Sequence, residues 1–358
     1  MRRELVGAVP SGAILRGVLK RVVFISLGVL GLLGVGLATA TYYFLATYEP
    51  APVDPAWEVA SDIDIPADAI TVRFTGTSTL LFSDGETAWM VDGWFSRFSP
   101  LALIRGKIEP DLEAIERGLE RNGVDRLAAV IPVHSHFDHA MDAPEVAKRT
   151  GAILLGSEST ANIGRGWGLE EEQIRVAADR EPIQFGRFTI TLIETRHFEF
   201  PDPAVREQAL SNPQISEPLI PPVGAFDYRV GQPYAIHVAH PRGRWLIQAS
   251  AGFEPGGLAG FDADIVFLGI GGLGTQTAEY RETYWQETVS PSGAQEIIAI
   301  HWDSLTAPTE GRMTGEVRAA AFLSNGSGQT RTFLEEKLAT QPGLRIKTLP
   351  RFEEVVLF

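Results

Sequence analysis

Residues 133 to 139 read Val133-His134-Ser135-His136-Phe137-Asp138-His139, and a compact apolar run from Leu127 to Val133 leads straight into them. Side chains alternate faces along an extended chain, so His134 and His136, two apart, project together. Asp138 and His139 lie beyond the strand end, where the chain can turn. Neutral imidazoles and a carboxylate are donors that suit Zn²⁺ and similar divalent ions, and this spacing can serve two adjacent metal positions. The chain has no cysteine, so thiolate sites, disulfides and cysteine nucleophiles are excluded. Any metal must be held by His, Asp or Glu.

Strand signals precede this stretch at Ile70 to Phe74, Thr79 to Ser83 and Thr87 to Val91, the last two joined by Asp84-Gly85, a two-residue hairpin signature. A helix then carries Leu112, Ile115 and Leu119 at helical spacing. After the histidines come a short helix around Pro144 to Thr150 and a strand Ala152 to Leu155. A similar order returns in strands Arg187 to Thr195, Tyr234 to Val238, Trp245 to Ala249 and Ile265 to Leu268. It ends in a helix Glu279 to Thr288, a strand Glu296 to Ile300 and a late helix Thr332 to Leu338. Two βα-rich halves predict an α/β fold with four layers. The long irregular stretch from Phe198 to Gln232, with Pro201, Pro203, Pro213, Pro218, Pro221 and Pro222, has the character of a lid or specificity loop.

Residues 22 to 45 contain no charged side chain. About 20 such residues cross a bilayer core as a helix, which makes this segment a transmembrane anchor candidate. Arg2, Arg3, Arg16, Lys20 and Arg21 precede it, whereas Glu49, Asp54, Glu58, Asp62, Asp64 and Asp68 follow with no Lys or Arg among them. The positive-inside rule then keeps the N-terminus cytoplasmic and exports the body to the periplasmic or extracellular side. A cleaved signal peptide is the competing reading, because Ala38-Thr39-Ala40 offers small residues after the apolar run; the run continues past that site, which favours the anchor. Gly28, Gly31, Gly34 and Gly36 are ordinary in membrane helices and imply no pairing. The expected organisation is a basic segment over 1–21, an anchor over 22–48, a Pro- and acid-rich linker over 49–69 and a hydrolase domain over 70–358. The formal charge is −14, with +4 in the first 48 residues and −18 in the rest, so the body repels nucleic-acid backbones.

With this framework on both sides, the His-x-His-x-Asp-His motif resembles that of the metallo-β-lactamase superfamily over most of residues 70–358. The resemblance implies an αββα sandwich and further ligands at downstream strand ends, where His197 and His301 stand. It implies that His134, His136 and His197 hold one metal and Asp138, His139 and His301 a second, with Zn²⁺ as one or two ions and Mn²⁺ or Fe²⁺ as alternatives. Asp138 is implied as the catalytic residue, and Asp92, closing Trp89-Met90-Val91-Asp92, as a support behind the ligands. Where the family presents a bridging Asp after the strand Trp245 to Gln248, this chain has Ser250, so the expected second metal is weaker or missing. Gly76-Thr77-Ser78-Thr79, Ala263 to Gly269 and Ile300-His301-Trp302 look most like the UlaG-like and phospholipase-D-like branch. The implied activity is hydrolysis of an ester, lactone, amide or phosphoester in a small-molecule or lipid-like substrate. A phospholipase-D-like phosphodiesterase is the first alternative, and a metal-binding protein that has lost catalysis is the second.

Four other features take plainer readings. His237 and His240 flank a strand and turn with no carboxylate nearby in sequence and are expected to be structural. Gly269-Ile270-Gly271-Gly272-Leu273-Gly274 fits a dinucleotide fingerprint but lacks an early βαβ unit, so tight turns explain it. Ser135, Ser250 and Ser304 stand outside any nucleophile elbow. The apolar residues between Gly93 and Ile104 suit either core packing or contact with lipid or an apolar substrate.

Overall fold

The computed structural model of the chain describes residues 11–61, 64–200, 203–211, 213–320 and 327–358; Arg2, Arg3, Asp62 and Pro201, named above, lie outside them. Two units emerge, one up to Thr47 and one from Tyr48 to Phe358. The first is a single helix, α1 (Ser11–Ala46), whose stretch Leu15–Ala46 has a mean hydropathy of 2.3 and no buried residue. It starts well before Val22 because Arg16, Lys20 and Arg21 are good helix formers, and the uncharged segment is the interior of a longer helix.

Residues 49–59 of the expected 49–69 linker, together with Tyr48, expected as the end of the anchor, pack as part of the second unit. Tyr48 pairs with Val317, Glu49 bridges Arg318 at 2.6 Å, Val53 is buried in the core and Asp54 meets Arg331 at 2.7 Å. The physical reason is that this Pro-rich stretch also carries apolar and acidic side chains that find apolar and basic partners on the body.

Two seven-stranded mixed sheets form the body. The first runs β14 (Glu354–Val356), β1 (Thr71–Gly76), β2 (Thr79–Ser83), β3 (Ala88–Val91), β4 (Ala129–Ile131), β5 (Ile153–Gly156) and β6 (Ile174–Val176), antiparallel as far as β3 and parallel beyond. The second runs β13 (Arg345–Lys347), β12 (Glu296–Ile300), β11 (Ile265–Gly269), β10 (Gly243–Gln248), β9 (Tyr234–His240), β8 (Phe188–Glu194) and β7 (Pro182–Phe185), with the same division between parallel and antiparallel halves. Between the sheets Phe82 stacks on Trp89 at 4.8 Å and meets Trp245 and Phe267 at 5.3 Å each. Burial on both faces is why these strands read as continuous apolar runs.

Helices α3 (Leu112–Asn122) and α5 (Ala143–Thr150) cover the first sheet through Ile115, Leu119, Val146 and Ala147. Asp111 caps α3 by accepting from the Glu113 and Ala114 amides, and Gly123 ends it at φ 64°. Helix α8 (Ala278–Thr288) brings Tyr284 and Trp285 to the second sheet, where the Tyr284 hydroxyl donates to the Gly269 carbonyl at 2.9 Å. The late helix α9 (Ser327–Thr340) adds Leu334. The result is the expected αββα sandwich. The β2–β3 connection differs from the two-residue reading: the strands close at Ser83↔Ala88, because the Asp84 carboxylate accepts from the Glu86 and Thr87 amides and widens the turn to four residues.

Candidate metal centre

Beyond β4 the chain bends through residues 133–136, and His136, itself extended (φ −61°, ψ 156°), precedes the four-residue helix α4 (Phe137–Ala140). The expected extended strand is thus replaced by a bend that carries His134 and His136, while Asp138 and His139 come from the first turn of the helix. The Ser135 amide donates to the Val230 carbonyl and the Tyr234 amide to the Val133 carbonyl, which docks the strand end on the second sheet. His197 stands three residues past β8 and His301 directly past β12.

These six residues converge as two groups, His134 with His136 and His197, and Asp138 with His139 and His301, each with its donor atoms within 4.8 Å of one another. In the second group His139 Nε2 and His301 Nε2 are 3.2 Å apart, His139 Nε2 and Asp138 Oδ2 3.5 Å, and His301 Nε2 and Asp138 Oδ2 3.4 Å. Donors at about 2.0–2.1 Å in a tetrahedron stand about 3.3 Å apart, so this triangle has the dimensions of one face of a zinc coordination shell. In the first group His134 Nε2 faces His136 Nδ1 at 3.0 Å, and the buried His134 Nδ1 has no hydrogen-bond partner.

Protons on the other ring nitrogens are held by the shell behind. Asp92 Oδ2 accepts from His139 Nδ1 at 2.9 Å and from Ser78 Oγ, while Oδ1 accepts from the Val133 amide at 2.9 Å. His197 Nδ1 donates to the Phe198 carbonyl at 2.8 Å. Both rings therefore turn Nε2 toward the cluster, where a metal would take its lone pair. His301 takes φ 56°, and Thr77 and Asp92 take 54° and 58°; the His301 amide donates to the Thr77 carbonyl, and the Thr77 amide to Asp303 Oδ1 at 2.6 Å. A β-branched residue in the left-handed region is strained, and the strain concentrates around this cluster.

Sequence reasoning missed Asp303 and Arg351, whose guanidinium meets Asp303 Oδ2 at 2.9 Å. The signal was present in an aspartate two residues after a strand-end histidine. The glycine run after β11 is used for clearance: a Cβ on Gly271 would come within 2.4 Å of His301 Nδ1, and one on Gly252 within 2.1 Å of the Arg196 carbonyl beside His197. No nucleotide cradle is needed to explain it.

Burial, reinforced by neighbouring imidazoles, holds the pKa of His134 and His197 well below the ordinary histidine value, so both are neutral and ready to donate lone pairs. Burial also disfavours the His139 imidazolium, but Asp92 and Asp138 outweigh it and raise that pKa. Burial would raise the Asp138 carboxyl, yet His139 and His301 dominate and keep it ionised.

Asp142, behind the cluster, is fully buried and pushed up to about 6 by desolvation, despite accepting from the Phe95 and Ser96 amides and Ser96 Oγ. A carboxyl whose folded pKa exceeds its unfolded value binds its proton more tightly when folded. Its contribution is therefore fully present below pH 4 and lost as pH rises to about 6. The loss is on the order of 3 kcal/mol. Urea unfolding at pH 4 and pH 7 should show wild type losing about that much relative to Asp142→Asn; a pH-independent difference would contradict it.

The other named residues lie elsewhere or serve structure. Ser250 follows β10 with a buried Oγ that has no partner, and its carbonyl accepts from Gln248 and Tyr284. Ser135 Oγ shares hydrogen bonds with Ser157 and Thr160, and Ser304 Oγ accepts from the Thr306 and Ala307 amides. His240, read as lacking a carboxylate, has one: Asp84 Oδ2 is 3.3 Å from its Nε2 and also holds Arg187 at 2.8 Å. The fold brings the β2–β3 turn over the β9–β10 turn, a contact that sequence separation conceals. His240 ends β9 about 20 Å from the strand's cluster end at Tyr234. His237 Nε2 bonds the Asp262 carbonyl.

Among known proteins, the chain is 26% identical over 122 residues to a UPF0173 metal-dependent hydrolase of Heliobacterium modesticaldum, a match spanning 34% of this chain and 43% of that relative. A possible metal-dependent hydrolase from Veillonella parvula superposes at a TM-score of 0.49 with 12% identity, covering 81% of this chain and all of the other (100%). An isothiocyanate hydrolase from Delia radicum gut bacteria gives 0.48 with 16% identity, over 80% and 98% of the two chains. The metallo-beta-lactamase superfamily model matches residues 72–258, more than half of the chain, from β1 through the histidine turn and His197 to the loop after β10. That span contains five of the six clustered donors, and the chain belongs to the metallo-beta-lactamase superfamily.

Proposed function

We propose that the protein is a metal-dependent hydrolase acting on an ester, lactone, amide or phosphoester. The observation that carries this reading is the triangle of Asp138, His139 and His301, whose 3.2–3.5 Å edges match a coordination face. The imidazoles of His134, His136 and His197 form the other donor set, and the buried His134 Nδ1 has no hydrogen-bond partner. A divalent cation, best Zn²⁺ with Mn²⁺ or Fe²⁺ as alternatives, supplies when bound an electrophilic pole and a water acidified toward neutral pH. The protein's own parts do the rest. Asp138, ionised and buried, orients the attacking water and takes its proton; Asp92 fixes the tautomer of His139, and the Phe198 carbonyl that of His197. The metal-dependent hydrolase similar to this chain supports the class of reaction.

The helix α1 supports a membrane-tethered enzyme, the basic residues before it and acidic residues after it support a catalytic body outside the cytoplasm, and the negative charge of that body argues against a nucleic-acid partner. A phospholipase-D-like phosphodiesterase is the second reading, favoured by that tether and by the resemblance to the UlaG-like and phospholipase-D-like branch. Elemental analysis of the purified full-length protein, with lactone and phosphodiester probes before and after chelation, tests both. One or more equivalents of metal, with turnover lost on chelation and restored by Zn²⁺, is the expected result, and Ser250→Asp should raise the equivalents bound. Metal without turnover on either probe would favour a binding protein that has lost catalysis; no metal even after reconstitution would refute the hydrolase.

A further inference from the structure

A short helix, α2 (Pro100–Arg105), lies beside the histidine turn and carries apolar side chains on two sides. Leu103 faces inward, in a cluster with Trp94, Phe137 and Val223, whereas Leu101 and Ile104 are 60% and 68% exposed. Ile108 just beyond pairs with Val223 in the segment that exposes Ile220 (70%) and Phe226 (39%). These exposed residues therefore flank one face, and Phe137 beneath it sits between the ligand candidates His136 and Asp138. Monomeric soluble proteins seldom leave large apolar side chains grouped at the rim of a site without a use for them.

The way the chain enters the body bears on that use. Only Thr47 separates the end of α1 from Tyr48, which pairs with Val317 and donates its hydroxyl to the Thr306 carbonyl at 3.2 Å. The neighbouring Leu305 packs in the same apolar cluster as Leu103 and Phe137. The first residue of the body is thus fixed against a loop that adjoins the apolar cluster. Tyr42 and Tyr43, aromatic residues of the kind that settle at a bilayer surface, stand a few residues earlier. Arg105 and Lys107 beside α2 are basic residues in an otherwise acidic body and suit anionic headgroups.

We propose that this face docks on the phospholipid bilayer that holds α1, with Leu101, Ile104 and Ile220 in the interface, so that the metal cluster opens at the lipid surface. The inference rests on the reading of α1 as a membrane anchor. It makes amphiphiles resident in the membrane the substrates with the easiest access.

The absence of cysteine allows single labels. Full-length protein in phosphatidylcholine nanodiscs would carry a fluorophore at Leu101→Cys, Ile104→Cys or Ile220→Cys. Gln184→Cys, at the far end of the second sheet, and Leu30→Cys, inside α1, are the comparisons. The expected result is that labels at 101, 104 and 220 are quenched by nitroxide lipids and several-fold less by iodide than the label at 184. Iodide quenching equal to that at 184, with Leu30→Cys still quenched by lipid, overturns the docking and leaves the anchor standing. Iodide access at Leu30→Cys overturns the anchor and the docking with it. Protection from iodide without quenching by lipid means that another copy covers the face and also overturns the proposal.

Discussion

His134→Ala combined with His136→Ala is expected to remove at least one equivalent of bound metal and to lower turnover on the order of 10³-fold or more, the scale of several kcal/mol of lost transition-state stabilisation. Both side chains come from the same bend after β4 and face each other at 3.0 Å, so the pair takes two of three donors from one group and leaves His197 alone. A single imidazole does not hold a divalent ion against water. The metal-free fold should be little affected. His134 is buried with an unpartnered Nδ1, so truncation removes an unsatisfied polar atom together with some packing, and these effects oppose each other. The diagnostic pattern is thus an unfolding midpoint near wild type without metal and a missing upward shift when Zn²⁺ is added, read beside elemental analysis and turnover. Full metal content in the double variant would place the metal elsewhere.

How much of this arrangement could be read from the chain depends on distance along it. Four of the six donors sit within six residues, and that closeness is enough to group His134 with His136, although they meet on a bend and not on the extended strand expected. His197 and His301 required the resemblance, because nothing local distinguishes a histidine just past a strand that holds a metal from a structural one at a strand end such as His240. The main strands were legible as apolar runs buried on both faces. β6, β7, β13 and β14 were not, since each is only three or four residues long and takes its identity from the neighbour it pairs with. Helix α6 (Glu158–Trp167) was missed for a different reason: its buried residues are Ser159, Thr160, Ala161, Asn162, Ile163 and Gly164, and a single large apolar side chain among them leaves no apolar periodicity.

The shell behind the donors was the least legible part. Asp92 was found through its place at the end of β3, but Asp303, Thr77 and Arg351 act on His301 through contacts spanning up to 226 residues. Residues 48–59 show the same limit from the other side. Their composition is that of a spacer, and only the body's complementary Arg318, Arg331 and apolar surface turn them into a strap.

Asp92→Asn should have the second large effect, and it isolates what the supporting shell does. The buried Asp92 carboxylate accepts three hydrogen bonds, from the Val133 amide, Ser78 Oγ and His139 Nδ1. An asparagine keeps an oxygen for Val133, so the backbone stays satisfied, and its amide group then faces Ser78 and His139. Ser78 can rotate its hydroxyl to accept. His139 can accept at Nδ1 only by moving its proton to Nε2, the atom that faces His301 at 3.2 Å and Asp138 at 3.5 Å. One donor of the Asp138, His139 and His301 group is thereby blocked with no donor residue changed. Metal affinity at that group should fall about 10- to 100-fold, while the group of His134, His136 and His197 keeps its affinity and the unfolding free energy without metal changes little. Asp92→Ala separates the two effects, because it also strands the Val133 amide and should cost a further 1–3 kcal/mol, roughly. Nitrogen-15 shifts of the His139 ring report the tautomer directly. A ring that keeps its proton on Nδ1 in Asp92→Asn, with unchanged metal affinity, would mean that the carboxylate is packing for Val133 and nothing more.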